Sequence, residues 1–181
     1  MRLVFIISAI ILCCSLGKTQ DNFSSLEDVE KEMALYADIF TNVEMAAHRS
    51  WAVKKFNALF ETALKMDGAS SYPFDSLRWL MRQEPEDKSF RIFTWQEKVN
   101  QKKYNYYGMV QLKDGTFFPL HDKSEGMEDI EYNVLNDQDW YGALYYNIKP
   151  FKMKKGMGYL LFGLDYHNFY NRRKVVDVLI I

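Results

Sequence analysis

Two places in this chain of 181 residues set a carboxylate close to an imidazole: His121 adjoins Asp122, and Asp165 stands two residues before His167. A carboxylate can fix the tautomer of a neighbouring imidazole, and imidazole exchanges a proton near neutral pH, so such pairs suit general acid/base chemistry. His121, Asp122, Asp165 and His167 are therefore the candidate catalytic residues, and the activity they would serve is that of a hydrolase working at strand ends. His48, the third histidine, lies in a separate segment. Turns also attract Asp for backbone reasons, and on that reading the same four residues are turn residues in contact with water.

A second cluster is acidic. The segment 122–139 (DKSEGMEDIEYNVLNDQD) holds seven carboxylates, densest at Asn136-Asp137-Gln138-Asp139. Calcium favours clustered oxygen ligands, but the alternate-position ligands and closing Glu of the twelve-residue calcium loop are missing. The segment reads as a solvated acidic connection, and no metal is expected. G-x-G-x-x-G, phosphate-loop, G-x-S-x-G and H-E-x-x-H signatures are also missing from the sequence, so no cofactor is expected.

The third group is aromatic. Trp95, Tyr104, Tyr106, Tyr107, Trp140 and Tyr141 present flat rings with polar tips, suited to stacking on a sugar or holding a partner's apolar surface. Together they are the candidate ligand-binding surface, for a protein or a glycan. Strands also favour aromatic residues for packing, and on that reading the same rings fill the space between sheet and helices.

The elements that must position these groups follow from periodicity. Ser24-x-x-Glu27 and Ser25-x-x-Asp28 are overlapping capping signatures before a stripe from Leu26 to Val43. Thr41-x-x-Glu44 is placed to cap a second helix, running through Phe56 and Phe60 to an end at Gly68. A third, short helix is expected from Asp75 to before Pro85. From Ser89 the period changes to two, with strands expected at 90–96, 104–113, 116–121, 141–153, 159–164 and 174–181. Asp114-Gly115 suits a two-residue type I′ turn that would pair Leu112 with Phe117 and Val110 with Pro119. Pro119 marks its strand as an edge. A second hairpin should turn near 154–157 with Gly156 at positive φ.

The fold class expected is α+β, with N-terminal helices packed on a curved antiparallel β-meander sheet. Most of its strands are apolar on both sides, and SFRIFTWQ (89–96) shows this best. Such a sheet should be covered twice, with the Trp95 face meeting the helices.

The leader and the charge bound the setting. Arg2 followed by the apolar run Leu3–Leu16 is too short for the ~20 residues of a membrane span. With small residues at Ser15 and Gly17, or at Gly17 and Thr19, it reads as a signal peptide over 1–19. The remaining expected divisions are a helical region over 20–86 and an antiparallel β-sheet region over 87–181. Cys13 and Cys14 both fall inside the leader. A mature chain without them lacks disulfides, thiolate nucleophiles and Cys metal ligands, and Leu12 before Cys13 disfavours lipid anchoring. Removing Arg2 and Lys18 from 23 basic residues leaves 21 against 24 acidic ones, a net charge of −3. Nucleic acid is excluded as a partner on that balance, and no transmembrane span is expected in the mature chain.

The runs SYPFDSL (71–77), EDKSFRIFTWQ (86–96), DWYGALYYNI (139–148), DYHN (165–168) and RRKVVDVL (172–179) resemble an uncharacterised family of exported Bacteroidota proteins. FRIFTW and WYGALYY are the most specific of these motifs, and the likeness covers most of the chain from about Ser50. It implies a signal peptide, a helical N-terminal part and a strand-rich remainder, and it implies no activity. Leu164 stands where that family tends to carry Trp. Family members also tend to continue beyond this last strand, so the expectation is either that the strand is tucked between neighbours or that part of the sheet is missing after Ile181. The function expected is that of an exported, periplasmic or extracellular cell-envelope protein, non-catalytic, binding or structural. The hydrolase above is the alternative.

Overall fold

Ser25 opens the first helix, α1 (Leu26–Asn42), its hydroxyl accepting from the Asp28 N–H at 3.2 Å. Ser24 and Ser25 both donate to the Asp28 carboxylate, which holds it below the usual carboxylate range. Val29, Met33, Ala37 and Phe40 form the buried stripe of α1 and pack on α2 (Ala46–Leu64), which buries Ala52, Val53, Phe56, Phe60 and Ala63. Thr41 does not cap α2. It belongs to the last turn of α1, and α2 starts after Met45 without a side-chain cap.

Arg49 organises that corner instead. Its guanidinium donates to the carbonyls of Val43 (2.9 Å), Glu44 (2.5 Å), Lys98 (2.7 Å) and Val99 (3.1 Å). One buried cation thus satisfies the carbonyls left over where α1 ends and ties the corner to the sheet. The computed structural model describes residues 23–127, 134–166 and 172–181. The leader, its two cysteines and His167 lie outside them.

The short helix expected from Asp75 is not formed. Residues 65–80 are turns, and Met81–Gln83 form a short strand, β1, antiparallel to β2 (Phe90–Asn100) with Met81 opposite Thr94. Tertiary ties replace the helical pattern. The buried Glu30 of α1 accepts from Tyr72 Oη at 2.6 Å and the Ser76 N–H at 2.7 Å, while Phe74 and Leu77 insert separately into the core.

The chain has the expected order, N-terminal helices followed by antiparallel strands, but the strands divide into two sheets. The first runs β1-β2-β3-β4, with β3 at Lys103–Leu112 and β4 at Phe117–His121. The second runs β5-β6-β7, at Leu144–Lys152, Met157–Asp165 and Arg173–Leu179. The β3–β4 turn differs from the expected one. Gly115, at φ 91°, follows a turn closed by the Gly115 N–H on Leu112 O, and Asp114 keeps negative φ. The loop therefore has three residues, Lys113 to Gly115, which shifts the register so that Gln111 meets Phe117 and Met109 meets Pro119. β4 is an edge as Pro119 required, and Gly156 turns the β5–β6 hairpin at φ 81°.

Three layers explain the two-sided strands of the middle sheet, whereas the second sheet, apolar on both sides too, is covered on one side only among the described residues. Phe93, Trp95 and Met109 point to the helices and share a core with Phe56 and Phe60; Trp95 is 1% exposed. Phe90, Ile92 and Val110 point the other way, onto Tyr145, Ile148, Tyr159 and Leu161 of the second sheet and Ala143 just before it. The middle sheet is covered on both faces, and its strands are apolar on both sides for that reason.

Candidate functional site

At one end of the two sheets the chain brings together the start of β3, the end of β4, the segment 137–140 and the end of β6. The β4 continuation is stitched in by backbone bonds: His121 N–H to Asp137 O (2.7 Å), Trp140 N–H to His121 O (3.0 Å) and Lys123 N–H to Trp140 O (2.8 Å). A parallel bridge between Asp122 and Trp140 results. Tyr106 is central to this end. Its N–H donates to Asp122 Oδ2 at 3.0 Å, and its hydroxyl donates to Asp165 Oδ1 at 2.8 Å.

Both carboxylates are therefore engaged. Asp122 Oδ1 accepts from the N–H and hydroxyl of Ser124 at 2.9 and 2.6 Å, the local turn geometry that favours Asp at such positions. Gly142 is obligatory beside it: φ is 81°, and a Cβ there would lie 2.7 Å from Asp122 Oδ1 and 2.9 Å from the Tyr106 ring. Asp165 is buried, and its second oxygen accepts from Tyr141 Oη at 3.0 Å, a phenol that Arg173 also reaches at 3.4 Å. The Tyr106 hydroxyl in turn accepts from the Tyr166 N–H at 2.6 Å. Burial first, and then the charge of Asp165, pushes the pKa of the Tyr106 phenol well up and keeps it protonated; burial is also the main cause of the upward shift of Tyr141. The two phenols are thus held as donors.

A cleft of about 290 Å³ opens beside this cluster, and His121 and Asp122 line it with Asn105, Tyr106 and Tyr107. Of the four acid/base candidates, the structure brings His121 and Asp122 to this cleft. Asp165 sits at the far end of the Tyr106 side chain, inside the interface between the sheets. His121 is exposed at the cleft wall, while Asp122 has three donors on its two oxygens.

The six aromatic candidates do not form one exposed surface. Trp95 lies in the helix-side core, and Tyr106 and Trp140 lie in the core between the sheets; Tyr141 is buried as well. Tyr104 and Tyr107 are half-buried. Stacking of Trp95 on Tyr107 (16° between planes) and the Trp140 Nε1–H bond to Tyr145 Oη at 2.8 Å are interior packing. The rings fill the spaces between layers, and this corrects the expectation of a flat binding platform.

Besides Glu30, three buried charged groups are absent from the candidates drawn from the sequence. Arg49 is one. Arg91, buried among apolar residues, donates to Tyr72 O, Ala69 O and Gln111 Oε1. Glu97, on the Trp95 face, accepts from Tyr107 Oη at 3.0 Å. Alternation along β2 places Arg91 and Glu97 on the helix-facing side, which is the signal that could have found them. Among the described residues no group of three or more His, Cys, Asp or Glu side chains is arranged to hold a metal, and no helix is long and apolar enough to cross a membrane.

The fold and this site define an α+β protein with a middle sheet clothed by a helix pair and a second sheet, and with tyrosine–carboxylate ties at one end. No family model matches the chain, and neither a curated protein nor a solved structure matches it.

Proposed function

We propose that this is an exported protein of the cell envelope, akin to the exported Bacteroidota family whose motifs it resembles, and that it acts by surface contact without catalysis. The observation that carries this reading is the engagement of Asp122 and Asp165. Each carboxylate accepts three or two donors that hold backbone or join layers, so neither is left to move a substrate's protons. A contact role is further supported by the side of the second sheet that turns away from the core. Its valines and leucines pack on neither of the two cores, and exposed apolar patches of this kind mark interaction surfaces.

The test is turnover of chromogenic esters, phosphates and glycosides by the wild type, H121A and D122N, with unfolding temperature measured for each. The contact reading expects no turnover in any of them. Turnover abolished by H121A at unchanged stability would install the hydrolase reading at the 290 Å³ cleft.

A further inference from the structure

The second sheet has two unlike sides. Along it, Ile148, Tyr159, Leu161 and Leu179 face the middle sheet. Register then sets Lys149, Leu160 and Val178 in one cross-strand row on the outer side, and Asn147, Phe162 and Val176 in the next, with Leu164 beside Lys174. Val176, Val178 and Ile180 are 56%, 57% and 63% exposed.

Charge is distributed as unevenly as polarity. Residues 140–181 carry seven cations, Lys149, Lys152, Lys154, Lys155, Arg172, Arg173 and Lys174, and all are exposed. Their two carboxylates are turned inward: Asp165 is buried under Tyr106 and Tyr141, and Asp177 accepts from Tyr145 Oη. The rest of the chain has 16 basic residues against 22 acidic ones. Lys149 and Lys174 on the outer side, with Lys154 and Lys155 at the adjoining β5–β6 turn, thus form a cationic rim to this apolar face on a chain that is acidic elsewhere. Lys152 and Arg173 pair with Met157 and Asp165 on the inner side.

We propose that this outer face seats on an anionic lipid surface, a proposal that rests on the contact reading above and names its partner. The rim supplies the attraction and the valines and Phe162 supply apolar contact, the two ingredients of reversible binding at a lipid interface. A second copy is a poor occupant, because the lysines of one face would meet the same lysines on the other. An acidic protein is less favoured because the described outer face is a cross-strand row of side chains, and the clefts at His121 and at Phe117 lie elsewhere.

The experiment is co-sedimentation of the chain with phosphatidylcholine vesicles containing or lacking phosphatidylglycerol, at low and raised ionic strength. Binding is expected only with phosphatidylglycerol, weakening as salt screens the rim. K149Q and K174Q should each weaken it about fivefold. V176T/V178T, which keeps the β-branched shape, should weaken it with the circular dichroism spectrum unchanged. If that variant does not fold, the lysine variants still decide. No binding to phosphatidylglycerol vesicles, or binding that neither set of variants alters, would overturn the proposal. Binding to soluble polyglutamate without binding to vesicles would overturn it in favour of an acidic protein. These negatives leave the silent turnover assay untouched, whereas turnover would overturn the contact reading itself.

Discussion

The Tyr106 hydroxyl donates to Asp165 Oδ1 at 2.8 Å, joining β3 of the middle sheet to β6 of the second. A buried carboxylate that loses one of its donors is left with a desolvation cost of about 1–3 kcal/mol. Y106F is therefore expected to lower stability by that amount, read as a lower urea midpoint. Y141F should cost less, because Arg173 reaches that phenol from a more open position.

Arg49 is expected to matter more than any surface ion pair. Four carbonyls from two elements depend on its guanidinium. R49M should lower stability by about 3 kcal/mol or more, as several buried acceptors lose their donor together. R49K should restore little, since an ammonium cannot reach in two directions from one plane. By contrast K31A, which removes an exposed pair with Glu27, should leave the unfolding temperature essentially unchanged. Thermal unfolding of the three variants checks the order.

Acrylamide quenching separates the four tryptophans. Trp51 and Trp79 are 51% and 53% exposed, while Trp95 and Trp140 are buried. The expected Stern–Volmer plot curves, with a readily quenched fraction and a protected one. In W51F/W79F the protected fraction alone should remain. Strong quenching in that variant would contradict the layer order, because it would open either side of the middle sheet.

Two kinds of acid, a carboxyl and a phenol, set the pH dependence. Burial raises the Asp177 carboxyl above its ordinary 3.8, with the Tyr145 bond opposing it. A raised native value means stability is full below 3.8 and declines as pH rises through the native value. D177N keeps an acceptor for Tyr145, so it should match or exceed the wild type at neutral pH and lose the advantage in acid. At the alkaline end, the bond to Glu30 pushes Tyr72 up to about 12 from 10.0. Its contribution should hold below pH 10 and disappear as pH rises from there through 12. Absorbance at 295 nm and unfolding temperature against pH together test this.

The change of period at Ser89, the Ser25 cap and the edge at Pro119 were legible because each is a local matter of spacing or of a missing N–H. The two apolar sides of β2 led to the helices over Trp95. They could not say that the other cover would be a separate sheet, because strand partners far apart in sequence leave no periodic trace. The helix expected after Asp75 failed because Glu30, distant in sequence, holds that segment by Tyr72 and Ser76. The turn at Asp114-Gly115 was recognised, and its length was not: one extra residue before the glycine changes every pair beyond it. At the candidate site, His121 and Asp122 could be named, but the role of Asp122 depends on Tyr106 and Ser124. Sequence shows which groups can accept a proton, and only folding shows which are already occupied.

Each layer is one uninterrupted stretch of chain: helices over 26–64, the middle sheet over 81–121 and the second sheet over 144–179. Phe90, Ile92, Tyr106 and Val110 therefore have no cover until residues 140–181 arrive. A chain halted before that point would fold its helices against one side of a sheet and hold an oily wall open on the other, the kind of surface on which chains aggregate. A cover made later than the sheet it protects is what makes the middle of the protein safe in water.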